Sequence, residues 1–169
     1  MEQIFTLRNS QNIQNRTHSP YKYLLQFDGG ANPNPGPCAG AFVIYKLDPN
    51  GIGSSITMEK EILFEGGKYI EHGTNNVGEY MGLIEGLKVC KDYKFDHIII
   101  KGDSKLVVYQ VSNKWKVNYE HIRKFHLEIH DLLKNFSDVS IQHLYRTDNK
   151  KADQLSDETL EKRNNWIRF

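Results

Sequence analysis

The chain has 169 residues, with 22 Lys and Arg against 21 Asp and Glu and a formal net charge of +1. That size suits one domain with its own core. The near-neutral balance excludes a strongly basic binder or an acidic tail, so any anionic partner must meet a local patch. Two cysteines, Cys38 and Cys90, make neither a zinc set nor a disulfide framework and fit a reducing compartment.

Met1 to Pro20 is rich in Asn, Gln, Ser and Thr without a sustained period, and reads as a flexible polar leader closed by Pro20. It lacks a signal-peptide core, and no stretch of the chain has the length of a membrane span. The expected location is intracellular, cytoplasmic or nuclear. Arg8 and Arg16, with no acid between them, leave an organellar address open. Residues 21–165 are expected to form a single catalytic domain.

Tyr21 to Phe27 is an apolar first strand that delivers Asp28 into a Gly/Pro/Asn turn. Ala39 to Leu47 is a second strand, and Asp48-Pro49-Asn50-Gly51 a hairpin turn. A third strand lies within Ser55 to Glu65, with Gly66-Gly67 as its exit. Val77, Met81, Ile84 and Leu87 keep helical spacing, predicting a helix over Val77 to Lys91 capped by Asn75 or Asn76. Gly78, Gly82 and Gly86 are costly inside a helix, and their spacing of four suggests close packing onto a sheet. His97 to Ile100 is a short buried strand. Asp103-Ser104 can cap a short helix carrying Leu106, Val107 and Val111. Asn118 or Tyr119 opens a longer helix through Ile122, Phe125, Ile129 and Leu132, and Val139 to His143 is a last strand. Asn149 to Glu161 is the last helix. The order predicts an α/β fold: a five-stranded mixed sheet, strands one to three antiparallel and strands four and five parallel, flanked by helices.

Four acids, Asp28, Glu79, Asp103 and Asp153, sit at element boundaries. In open α/β sheets, sites form outside the carboxyl ends of parallel strands. Each acid has a plainer role available: Asp28 starting a turn, Asp103 capping a helix, Glu79 favoured by a helix dipole, Asp153 on a polar face. Together, four carboxylates facing one point repel strongly unless cations bridge them. An all-oxygen set suits magnesium or manganese, and two such ions about 4 Å apart could activate a water and stabilise a leaving oxygen in phosphoryl transfer. From Lys101 to Lys134 there are seven Lys and Arg against four acids, a local excess whose binding should weaken with salt.

Asp28-Gly29-Gly30-Ala31 with Asn34-Pro35-Gly36-Pro37, Thr74-Asn75-Asn76 with Glu79-Tyr80, Asp103-Ser104 with Leu106-Val107, and Asn149 with Ala152-Asp153-Gln154-Leu155 resemble the successive motifs of type 1 ribonuclease H. The resemblance runs from about Tyr21 to Leu160. It implies a ribonuclease H-like fold in which Asp28, Glu79, Asp103 and Asp153 hold two Mg²⁺ ions, with Mn²⁺ as a possible substitute. It also implies cleavage of the RNA strand of an RNA–DNA hybrid to leave 5′-phosphate and 3′-hydroxyl ends. His143, ten residues before Asp153, has the spacing of the family's loop histidine, which assists proton transfer or product departure; its plainer role is an edge-of-strand residue. Arg146 competes with it for phosphate contact. Asn32, Asn76 and Ser104 fall where the family contacts its hybrid, where short polar groups can read 2′-hydroxyls, although Asn76 and Ser104 can equally cap helices. Trp115, between Lys114 and Lys116, can face the DNA strand or anchor its loop to the core. The basic protrusion of some bacterial members looks absent after Trp115. The expected protein is a monomer with no membrane partner. The rival expectations are a hybrid-binding or partner-docking domain without catalysis, and a related metal-dependent nuclease acting on duplex RNA or DNA.

Overall fold

The computed structural model describes residues 3–9, 21–47 and 60–169. The expected turn at Asp48 to Gly51 and residues 10–20 of the expected leader lie outside the described residues. The elements run β1 (Ile4–Arg8), β2 (Tyr23–Ala31), β3 (Gly36–Leu47), β4 (Lys60–Gly73), α1 (Asn75–Asp92), β5 (His97–Gly102), α2 (Lys105–Val111), α3 (Glu120–Leu133), β6 (Asp138–His143), a short 3₁₀ turn (Arg146–Asp148), α4 (Lys150–Lys162) and β7 (Trp166–Arg168).

The expected five-stranded sheet is corrected. Among the described residues, seven strands pair in the order β1-β6-β5-β2-β3-β4-β7. Antiparallel pairs close both edges, β1 on β6 and β7 on β4, and also join β2 to β3 and β3 to β4. The parallel pairs are β2–β5 and β5–β6. The first extra strand comes from the segment expected to be a polar leader. Ile4, Phe5, Thr6 and Leu7 are strong β-formers. Phe5 is buried with its ring edge-on to Tyr109, and Arg8 Nε donates to the Phe136 carbonyl at 3.0 Å. The second, β7, is too short to carry a period. It is held by Trp166 Nε1 donating to Thr159 Oγ1 at 2.9 Å and by Arg168 meeting Glu65 at 2.6 Å.

Three boundaries also move. β2 continues past Phe27 to Ala31, because Gly29 and Gly30 remain paired with Gly40 and Ala39 of β3. Gly66 and Gly67 lie within β4 rather than at its exit. They are glycines because Phe42 and Thr159 press on them: an added Cβ would lie 2.6 Å from the Phe42 ring and 2.0 Å from Thr159 Oγ1. The cap of α1 is Thr74, whose Oγ1 accepts from the Val77 amide at 3.3 Å.

Strand alternation assigns the faces. Leu25, Phe27, Phe42 and Ile44 join the main core with α1 and α3, whereas Ala41 and Val43 pack on Ala152 and Leu155 of α4. Burying a residue such as Phe27 or Ile100 contributes on the order of 1.5–3 kcal/mol. The sheet therefore lies between two helical layers, and its carboxyl edge is left open. No helix among the described residues is long and apolar enough to cross a membrane.

Candidate active site

The parallel register of β2 and β5 ends at the rung Phe27–Gly102. The next residues on the two strands are Asp28 and Asp103, delivered side by side at the carboxyl edge. Gly102 has to be glycine here, since an added Cβ would lie 2.5 Å from the Phe27 ring. The third acid, Glu79, arrives on α1, which sits almost on the sheet backbone. A Cβ on Gly82 would lie 2.6 Å from the Asp28 carbonyl oxygen. Asp28, Glu79 and Asp103 thereby offer ligand atoms within 4.8 Å of one another, the one such group of three among the described residues.

The electrostatics of this trio are unfavourable without a cation. Asp28 is 5% exposed, and burial followed by the Asp103 charge raises its carboxyl to about 7. Glu79, 8% exposed, is held well above the ordinary carboxylate range by burial and by Asp28 and Asp103, with the Arg146 guanidinium offsetting part of the rise. Glu79 Oε2 is buried without a hydrogen-bond partner. Buried acceptors are nearly always satisfied, and this one sits among all-oxygen donors of the kind a hard divalent cation takes. The cluster thus fits metal-ion use. Asp153 stands outside the trio, exposed on the first turn of α4, yet near enough that its side chain acts on the proton of Asp28.

Asn149 is the residue that the sequence reading left out of the site. It is 0% exposed, and its Nδ2 donates to the Phe27 carbonyl at 2.8 Å and to Asp103 Oδ2 at 3.0 Å. Its Oδ1 accepts from Gln26 Nε2 at 3.0 Å. The signal available was Gln26 itself, a polar residue inside the apolar run of β2. Asn75 does similar work at the turn: its Oδ1 accepts from the Ala31 amide at 2.8 Å and its own amide donates to Asn34 Oδ1 at 3.0 Å. His143 ends β6, and its Nε2 donates to the Asp103 carbonyl at 3.2 Å, beside the trio. Arg146 is exposed on the 3₁₀ turn that leads to Asn149.

The expected hybrid contacts are dispersed around this edge. Asn32 is exposed, with its amide bonded to the Pro37 carbonyl across the turn at 3.0 Å. Ser104 Oγ accepts from the Val107 amide at 3.2 Å and so caps α2. Asn76 and Trp115 line one groove of about 430 Å³, shared with Gln110, Lys114, Lys116 and Tyr119. Trp115 is 45% exposed and stacks on Tyr109 with ring centroids 4.8 Å apart, so it is anchored and presented at once. Its loop is tethered from below, where Tyr80 Oη donates to Gln110 Oε1 at 2.8 Å and Gln110 Nε2 to the Lys116 carbonyl at 3.3 Å.

The reverse transcriptase-like family matches residues 37–159. Ribonuclease HI of Halobacterium salinarum is 37% identical over 135 residues, which are 80% of this chain and 62% of that protein. The chain thus spans less than two thirds of that relative. The crystal structure of RNase H1 from the same archaeon superposes with a TM-score of 0.72 at 36% identity, covering 83% of this chain and 98% of that one. LC11-RNase H1 in complex with an RNA/DNA hybrid superposes with a TM-score of 0.71 at 29% identity, covering 83% and 98%.

Proposed function

The chain belongs to the reverse transcriptase-like family and to the type 1 ribonucleases H, and on that premise we propose that it hydrolyses the RNA strand of RNA–DNA hybrids. The observation that carries this reading is the convergence of Asp28, Glu79 and Asp103 within 4.8 Å, with a buried oxygen of Glu79 lacking any hydrogen bond. We assign two Mg²⁺ ions, replaceable by Mn²⁺, to these three carboxylates and Asp153; when bound, such ions supply an activated water and charge stabilisation for the leaving oxygen. The products are a 5′-phosphate and a 3′-hydroxyl.

In this reading Asp28 and Asp103 anchor the site from the sheet, Glu79 closes it from α1, and Asp153 reaches in from α4. His143 holds its Nε2 hydrogen on the Asp103 carbonyl and presents a ring beside the site for proton transfer or product release. Arg146 meets a phosphate, the geometry that its planar fork suits. Asn32, Asn76 and Ser104 contact the RNA strand in the minor groove. Trp115 offers its exposed face to the DNA strand between Lys114 and Lys116. Cys38 and Cys90 take no part: both are buried free thiols, pushed up by burial to about 11 and about 12. Free thiols support a reducing, intracellular setting.

The test is incubation of an end-labelled RNA–DNA hybrid with the protein, with and without Mg²⁺ or Mn²⁺, beside duplex RNA, duplex DNA and single strands. Metal-dependent cutting of the hybrid's RNA strand alone, lost in Asp28→Asn, is the expected result. Binding without cleavage under every metal condition would instead indicate a docking domain. Cutting of duplex RNA or duplex DNA would keep the metal site and overturn the substrate.

A further inference from the structure

Gln26 and Asn149 form a buried amide pair that no reacting group requires. Gln26 is buried on β2, on the same strand face as Asp28 two residues later. Asn149 immediately precedes α4, the helix that carries Asp153, and its carbonyl accepts from the Asp153 amide at 3.1 Å. The pair thus touches the backbone or side chain of three of the four acid-bearing segments.

The hydrogen-bond polarity of this pair is fixed throughout. The Phe27 carbonyl accepts only, and so does an ionised Asp103 carboxylate, so the Asn149 atom that faces both must be the NH₂. Its oxygen is then turned to Gln26, which must answer with a donor. Gln26 Nε2 does so at 3.0 Å, and also donates to the Asp148 carbonyl at 3.2 Å, which sets the orientation of the second amide as well. Each donor therefore has an acceptor that admits no reversal of either amide.

We infer that the Gln26–Asn149 pair is a positioning device for the metal ligands: it sets the rotation of the Asp103 carboxylate by holding one of its oxygens and ties that setting to the start of α4. This rests on the metal site proposed above. Partners that orient ligating carboxylates commonly change metal affinity by about 10–100-fold when removed. Gln26→Met keeps the volume and removes the donor, whereas Asn149→Ala removes the clasp. Ile129→Val, in the core on α3, serves as the control for lost stability alone.

Mg²⁺ binding is read directly by calorimetry on each full-length protein without nucleic acid, together with its thermal midpoint. The expected result is about tenfold weaker Mg²⁺ binding in Asn149→Ala, a smaller loss in Gln26→Met and none in Ile129→Val. On the hybrid, the Mg²⁺ concentration for half-maximal rate should rise in the same order, while KM for the hybrid at saturating Mg²⁺ stays unchanged. Lower thermal midpoints with wild-type Mg²⁺ affinity would overturn the positioning role and leave the metal site intact. A wild-type protein that binds no divalent ion would overturn the metal reading itself, before any variant is compared. If Asn149→Ala does not fold, Gln26→Met decides alone.

Discussion

At Asp28 the proton is held to about 7 by burial and by the neighbouring Asp103 charge, against an ordinary value of 3.8. The folded chain therefore keeps a proton that the unfolded chain releases. The resulting contribution to stability is full below about pH 4 and is lost as the pH rises through about 7. Without metal, Asp28→Asn should melt a few degrees above the wild type at about pH 8, with the gap closing towards about pH 4. Saturating Mg²⁺ should raise the wild-type midpoint at about pH 8 and leave the variant where it was. Circular dichroism melts at both pH values, with and without Mg²⁺, check both statements. Trp115 acts at the same scale through binding rather than chemistry. Trp115→Ala should raise KM for a hybrid by about fivefold or more with little change in kcat, since an aromatic face under a nucleotide contributes about 1–3 kcal/mol.

Helix α1 illustrates how an element, rather than a side chain, sets a site. Its glycines let it lie against β2 and β3 backbone to backbone, so Glu79 reaches acids carried by the sheet. The glycines are not equivalent. A Cβ on Gly82 would meet the carbonyl oxygens of Asp28 and Ala41 at 2.6 Å, neither of which can step aside. A Cβ on Gly86 would meet the end of the Leu25 side chain at 2.4 Å, a side-chain terminus rather than backbone, although Leu25 is itself fully buried. Gly82→Ala should therefore cost roughly 1–3 kcal/mol and lower kcat by moving Glu79 away from Asp28. Gly86→Ala should cost less and leave kcat near the wild-type value. Urea unfolding and steady-state rates on the two variants separate the effects.

Across the whole molecule, the edge strand β7, strand β4 and helix α4 are joined through Glu65, which meets Lys151 at 3.0 Å and Arg168 at 2.6 Å. Burial pushes the Glu65 carboxyl up, but its hydrogen bonds and ion pairs with Lys151 and Arg168 outweigh that and hold it below its ordinary 4.5. The contribution is thus present above about pH 4.5 and lost as the pH falls through the lowered value, the opposite sense to Asp28. Glu65→Gln should flatten the acid limb of a stability-against-pH curve, measured by urea midpoints between about pH 3 and about pH 6. This long-range tie also marks the limit of what could be read from the residues alone. The three acids that the fold brings together (Asp28, Glu79 and Asp103), the helix over Val77 to Lys91 and the glycine spacing of four were legible, because each is a local pattern. Strand β1 was hidden by its polar surroundings, although Ile4 to Leu7 have the composition of a strand. Strand β7 carries three residues and depends on Thr159, seven residues before Trp166, and on Glu65, which lies 103 residues before Arg168. Asn149 was visible as a motif residue, but its grip on Asp103 depends on the register of β2, β5 and α4 together.

That register also sets a spacing. Phe27, Gly102 and His143 share one rung across β2, β5 and β6, and the acids that follow the first two stand one strand apart, about 4.8 Å in any sheet. The backbone separation of these two acids is a gauge inherited from the ladder and not from the length of a side chain. Exchanging one acid for another alters reach but leaves that gauge alone. Changing it would need a one-residue bulge in β2 or β5, which would also turn every later side chain of that strand to the opposite face. The spacing of the two sheet acids is, on this account, among the features of the chain least open to gradual adjustment.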